Sequence, residues 1–407
     1  MTQSDPIADA IGKLVDAGEL AGAATLVWRG GRVVQSAAVG SRDIAAGLPT
    51  QRDTIFRIAS MSKPVTSLAA LTLLDEGRFA LDEPITRWAP EFAEMRVLAS
   101  ADGPLDRTEP AWRAITFEDL LTHRAGLTYG DFHAGPLAKA HAEALGADID
   151  SAVAPDDWIA GLAALPLIDQ PGAGFHYGHS TDLLGLLIAR MEDATLGEVL
   201  RRRLFAPLGM KDTGFIVPAE KHGRRAKMYG FDDAGRLMER PTGAGGAFLA
   251  ERPADMAFES GGQGLWSTLD DYLAFARLFI GGGAVDGVRV LKPETLALMT
   301  ANHLSDAQRA AARMLGMPVF SAHGLGLGVA VVMDPAKADV MRCKGGVGTV
   351  GWPGAFGGWW QADPTDGSVM IFLAHNNFAL EQLSKGIGLG VYSAITDFHA
   401  LASKLGR

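Results

Sequence analysis

The 407-residue chain carries a single cysteine, Cys343, so no disulfide can form within it. That suits a reducing compartment and removes a disulfide-stapled fold from consideration. Positive charge is also scarce: 37 Lys and Arg against 47 Asp and Glu leave a net charge of −10. A nucleic-acid binder usually shows a basic patch or stripe, so nucleic acid is not an expected partner. No uncharged apolar stretch reaches the roughly 18 residues of a membrane span. Met1-Thr2-Gln3-Ser4-Asp5-Pro6 has neither a basic start nor an apolar core of the kind that directs export. These absences lead us to expect a cytoplasmic protein with no membrane partner. No His-Glu-x-x-His occurs, and His141-Ala142-Glu143 lacks the Cys-x-x-Cys partner of a deaminase zinc site, so no metal or other cofactor is expected. His133, His141, His176, His303 and His399 read as surface or packing residues. Gly-x-Ser-x-Gly is absent too, since Gly178-His179-Ser180-Thr181-Asp182 lacks its last glycine.

What remains is organised around Ser60-Met61-Ser62-Lys63. Residues three apart on a helix share a face, so Ser60 and Lys63 can enter one cleft. A serine hydroxyl becomes a good nucleophile when a neighbouring base takes its proton. A lysine serves as that base only as the neutral amine, which burial and the positive end of a helix favour. The same helix start offers N–H groups to an oxyanion. Thr54 to Ala59 reads as a buried strand entering the helix, and Pro64 requires the helix to begin close to Ser60. The residue before a proline is also disfavoured in helical geometry, so strain is expected at Lys63. Four common residues alone fit an exposed surface helix equally well, so the wider context decides.

Along the chain, Ser4 or Asp5 caps a first helix with Pro6 at its first position. Gly30-Gly31 joins two strand-like runs, Ala23–Arg29 and Arg32–Val39, as a hairpin. Asp82 to Thr116 reads as irregular surface structure, followed by a short helix, Phe117–Leu121. Helical runs fill Asp156 to Leu208, with Asp182–Glu192 and Leu196–Leu204 the clearest, then Thr268–Phe279 and Pro293–Met299. Gly324–Met333, Gly345–Gly351 and Val369–His375 read as strands, and Leu380–Leu401 as a closing helix. Gly346-x-Gly348-x-x-Gly351 falls in a glycine-rich strand rather than a dinucleotide loop, because Pro353 and Gly354 leave no helix after it. The expected fold is α/β (α+β): one antiparallel sheet assembled from both chain ends, flanked by helices, with a mainly helical insert.

Several of these segments resemble the serine β-lactamases and penicillin-binding proteins, above all their class C and family VIII carboxylesterase branches. The likeness rests on Ser60-x-x-Lys63, on Ile115 to Leu127 with its Leu121-Thr122-His123-Arg124-Ala125-Gly126-Leu127 core, and on Gly264-Leu265-Trp266-Ser267-Thr268-Leu269-Asp270-Asp271-Tyr272. It covers nearly the whole chain and implies one catalytic unit over 1–407. The sheet would come from roughly 1–80 and 320–407, and the helix-rich part from roughly 81–319.

The family's Tyr-x-Asn corresponds to Tyr177-Gly178-His179, where histidine replaces asparagine. Tyr177 would share the Ser60 proton with Lys63 and pass it to the leaving oxygen. His179 would orient substrate. The family's Lys-Thr-Gly is missing, and Trp352-Pro353-Gly354-Ala355 resembles the Trp-x-Gly of the esterase branch. The lost lysine would pair with a substrate carboxylate, whereas tryptophan offers an apolar face and one N–H. The resemblance therefore implies neutral ester substrates, and the glycines and tryptophans near Trp352 suggest a walled pocket for short acyl chains. Trp352 and Gly354 would line the site, and the Ser60 and Ala355 amides would form the oxyanion hole. Trp359 and Trp360 would help to wall the pocket. A β-lactamase, a D-amino-acid peptidase or amidase, an acyltransferase and an inactive ligand-binding homologue are the alternatives. The sequence sets no oligomeric state.

Overall fold

A computed structural model describes residues 5–132, 135–243, 247–314, 316–377, 382 and 385–405. The first helix, Pro6–Asp16, starts where expected: the Asp5 carboxylate accepts from Ile7 N at 2.9 Å, with Pro6 in the first turn. Ser4, the other candidate cap, lies outside the described residues, as do His133 and the start of the proposed closing helix at Leu380. That helix is seen over Gly390–Ala402.

Eight antiparallel strands form the main sheet, in the spatial order His323–Leu325, Ala330–Val332, Val350–Gly351, Trp359–Asp363, Ser368–Ala374, Gly22–Arg29, Arg32–Asp43 and Leu48–Pro49. The expectation of one sheet built from both ends is borne out at its centre. There Gly22–Arg29 pairs with Ser368–Ala374, from Ala23 opposite Ala374 to Arg29 opposite Ser368. Gly30 and Gly31 have φ of +59° and +79°, the left-handed geometry that a tight hairpin needs and glycine supplies without strain.

Successive side chains on a strand point to opposite faces, which sorts the core into two layers. Val27, Phe372 and Trp359 pack with Ile7, Ile11 and Phe398 beneath the first and last helices. Leu26, Ile371 and Trp360 face the larger core, together with Val65, Leu68 and Tyr272. The helix following the nucleophile, Ser62–Asp75, is buried from Ser62 to Leu73, so it runs through the interior.

Four readings need correction. Asp82 to Thr116 is not merely surface structure: Ile85, Phe92 and Val97 are buried, and Arg96–Leu98 pairs with Thr108–Pro110. Gly324–Met333 is two strands, because Gly328 at φ +89° turns the chain between them. Gly345–Gly351 contributes strand only at Val350–Gly351, since Gly348 has φ +86° and Thr349 N donates back to Gly346 O. The helix from Leu196 ends at Leu200 and continues as a wider π-helical turn over Arg201–Phe205.

Candidate active site

Phe56–Arg57 pairs with Trp266–Ser267, and a single 3-10 turn over Ala59–Met61 then feeds the buried helix. The strand is anchored by Arg57, whose guanidinium meets Asp150 at 2.6 Å, with both side chains inaccessible, and lies over the Trp266 ring at 4.7 Å. Strain falls one residue before the nucleophile instead of at Lys63: Ala59 has φ +45°, a region that costs an alanine energy. Lys63 itself sits in the regular first turn, where Pro64 is tolerated.

Ser60 and Lys63 meet as expected, with Lys63 Nζ 3.5 Å from Ser60 Oγ. The amine has two further partners at 3.0 Å, the Tyr129 hydroxyl and the Gly262 carbonyl. Tyr177 is also beside it, but presents its ring: Nζ is 4.6 Å from the ring centroid, and the Tyr177 hydroxyl accepts from Trp352 Nε1 at 3.3 Å. Tyr129 was missed by sequence reasoning, although it stands two residues beyond the Leu121–Leu127 stretch. Burial, reinforced by Asp182, holds its phenol well above the ordinary value, so Tyr129 stays protonated.

Asp182 was missed too. It is fully buried at the start of the Ser180–Glu192 helix and accepts from Ser260 Oγ at 2.5 Å, Gly262 N at 2.9 Å and the Tyr129 hydroxyl at 3.4 Å. Burial pushes its carboxyl up, but His179, Lys63 and Ser260 outweigh that and hold it below the ordinary value. Lys63 therefore touches the Asp182 anion through two bridges, Tyr129 and the Gly262 peptide. The sequence signal was an acidic residue directly ahead of the apolar run Leu183–Ile188, where solvent exposure is implausible.

His179 is 2 % exposed and enclosed by Tyr129, His141 and Trp158, with ring centroids 4.6, 5.5 and 5.4 Å away. Its Nδ1 is 3.4 Å from Asp182. So enclosed, it braces Tyr129 and has little surface left for substrate. His123 lies against Tyr177, centroids 4.9 Å apart, and burial beside Lys63 lowers its pKa to about 3. It is a neutral ring at ordinary pH.

The Trp352–Gly358 turn closes against the nucleophile segment. A Cβ on Gly354 would stand 2.4 Å from the Ile58 carbonyl oxygen, so glycine is what permits this approach. Among the described residues, neither the Ser60 nor the Ala355 amide donates to a backbone carbonyl. Trp359 and Trp360 are not pocket walls. Both are fully buried in the sheet, one in each core layer. A separate cavity of about 320 Å³, bordered by Arg57, Arg225, Lys227 and His375, contains none of the residues around Ser60. Among the described residues no cluster of His, Cys, Asp or Glu is arranged to hold a metal.

Arg342 Cζ lies 6.0 Å from the Trp352 ring centroid, and burial holds the guanidinium below its ordinary value despite Asp339 and Tyr177.

With this geometry in place, the comparisons are decisive about kinship. The family model for beta-lactamase matches residues 7–385. The chain belongs to the beta-lactamase family. It is 47% identical to Protein Rv1367c of Mycobacterium tuberculosis over 363 residues, 89% of this chain and 88% of that protein. It is 31% identical to Esterase EstB of Burkholderia gladioli over 389 residues, covering 92% and 91%. The solved structure of EstCE1, described as a hydrolase with promiscuous acyltransferase activity, superimposes with a TM-score of 0.75 at 27% identity, over 96% of this chain and 97% of that one. The likenesses to EstB and EstCE1 support the esterase branch of the family, and the protein is a serine hydrolase. Among the described residues no helix is long and apolar enough to cross a membrane.

Proposed function

We propose that the chain is a carboxylesterase acting on small, short-chain esters through an acyl-enzyme on Ser60. The observation that carries this reading is the contact between Ser60 Oγ and a lysine whose other two partners are both acceptors. Lys63 Nζ is held by Tyr129 and Gly262 within reach of the Ser60 hydroxyl, where it can take the serine proton. Ser60 Oγ then bonds to the ester carbonyl carbon as its proton moves to Lys63 and on toward Tyr177. The Ser60 and Ala355 amides hold the oxyanion. Collapse breaks the bond to the alcohol oxygen, which leaves with that proton. Water attacks the acyl-enzyme in the same way, gives its proton to the relay and releases the acid, and Ser60 regains its hydrogen.

EstB is named an esterase and EstCE1 a hydrolase with acyltransferase activity, which supports ester chemistry here and keeps transfer to an alcohol as the second reading. A cytoplasmic setting belongs to the same proposal, supported by the one buried cysteine. The preference for neutral substrates rests on the missing lysine, in whose place Trp352 stands.

The test is hydrolysis of p-nitrophenyl esters from acetate to decanoate, beside a chromogenic cephalosporin, by wild type and Ser60→Ala. Fast turnover of the short esters, slow cephalosporin cleavage and loss of both in the variant are expected. Ester turnover that survives in Ser60→Ala would show that another group is the nucleophile.

A further inference from the structure

The catalytic groups are nearly sealed from solvent. Ser60 is 6 % exposed and Tyr177 8 %, and Lys63 is buried beneath them. A substrate must therefore reach them past the side chains of that region that still meet water. Tyr129, Tyr177 and Trp352 belong to one apolar cluster with Phe175 and Phe320, all of them buried. Of the described apolar side chains packed into it, only Phe132 and Met314 are partly exposed.

Phe132 touches the reacting layer directly. Its ring lies nearly parallel to Tyr177, with centroids 6.1 Å apart at 20°, and meets Tyr129 edge-on at 5.8 Å. These are the two tyrosines around Lys63. A 3-10 turn over Gly130–Phe132 holds the ring there, with Phe132 N donating to Tyr129 O at 3.1 Å. A Cβ on Gly130 would stand 3.1 Å from the Ala138 carbonyl oxygen, so the turn rests closely on the Pro136–Leu145 helix. Met314 comes from a hairpin in which Arg313–Met314 pairs with Met317–Pro318. The segment entering that hairpin is tied to the chain leading into Tyr177, because Gln308 Nε2 donates to Gly172 O at 2.8 Å.

Tyr177 decides which part of an ester these side chains meet. In the proposed reaction it passes the proton to the alcohol oxygen, so the leaving group stands at Tyr177 when its bond breaks. A ring stacked on Tyr177 is thus placed beside the alcohol portion. A phenyl ring and a thioether offer broad apolar surface and no strong hydrogen bond. An apolar group laid against them gains from the area it removes from water.

We propose that Phe132 and Met314 are specificity-determining residues that bind the alcohol portion of the ester, and that this portion is apolar. This deepens the esterase reading and rests on Ser60 as the nucleophile and Tyr177 as the donor to the leaving oxygen. In transfer to an alcohol, the same surface receives the acceptor.

The test varies one side of the ester at a time. Benzyl acetate against methyl acetate changes the alcohol, and methyl butyrate against methyl acetate changes the acyl group. Wild type, Phe132→Ala, Phe132→Leu and Met314→Ala are compared, with matched circular dichroism. The benzyl-to-methyl ratio of kcat/KM should fall at least about tenfold in Phe132→Ala and about threefold in Met314→Ala, with Phe132→Leu between wild type and Phe132→Ala. The butyrate-to-acetate ratio should stay within about twofold, because the acyl group lies away from this surface. If Phe132→Ala does not fold, Phe132→Leu and Met314→Ala carry the same comparison. An unchanged benzyl-to-methyl ratio, a fall confined to the acyl ratio, or an equal change in both would overturn the proposal and leave the esterase reading intact. No ester turnover by wild type, or turnover that survives in Ser60→Ala, would overturn the esterase reading and this proposal with it.

Discussion

At the scale of single residues, the two tyrosines around Lys63 divide two jobs. Tyr129 accepts from the amine, reaches toward Asp182 and is held protonated by burial, which fits a positioning residue. Tyr177 lies over the amine and reaches Trp352, nearer the turn that carries Ala355. Tyr177→Phe should lower kcat by about a hundredfold or more, the usual scale for losing a proton carrier. Tyr129→Phe should lower it by nearer tenfold, the cost of one unmade hydrogen bond in a buried network. Steady-state kinetics on phenyl acetate with matched circular dichroism would rank the two, and the opposite order would assign the proton to Tyr129. Ser60 and Lys63 stood out by their spacing, and Tyr177 by the family resemblance. Tyr129 and Asp182 did not, because each reaches the site through a contact between segments that no local spacing encodes.

At the scale of elements, the loop carrying Tyr129 and the loop carrying Tyr177 cross at Gly178. A Cβ there would stand 2.2 Å from Thr128 Cα and 2.7 Å from Tyr129 N, both backbone atoms that cannot step aside alone. Gly178→Ala should force the crossing apart at about 1–3 kcal/mol, the usual range for overpacking, and carry one or both tyrosines with it. Thermal unfolding and kcat should therefore fall together. Unchanged values for both would mean that the crossing yields freely. Gly178, the unspecified middle residue of the Tyr-x-Asn match, sets the distance between the two loops. The Trp359–Asp363 strand was hidden for a related reason. Its two tryptophans read as pocket lining, whereas alternation on a strand sends one into each core layer. Periodic helices such as Pro293–Met299 were read to the residue, because helical signals are local.

At the scale of the whole molecule, two buried neutral histidines tie stability to pH. Burial lowers His123 and His375 to about 3, whereas both would bind a proton near 6.5 in the unfolded chain. Between those values the unfolded state holds more protons, so stability is complete above about pH 6.5 and falls as pH drops toward 3. The slope is up to about 1.4 kcal/mol per pH unit for each histidine. Urea unfolding from pH 7.5 to 4 should show the decline, and His375→Gln should flatten it. An equal slope in the variant would assign the acid sensitivity to other groups. The central pairing of Gly22–Arg29 with Ser368–Ala374 has a different consequence, one of timing. As the chain is synthesised, its first strand and Ser60 emerge long before the strand that completes the sheet and the turn bearing Ala355. Contacts so distant in sequence form slowly. A half-made chain thus carries the nucleophile without the groups proposed to hold its oxyanion, and becomes a catalyst only when its two ends have met.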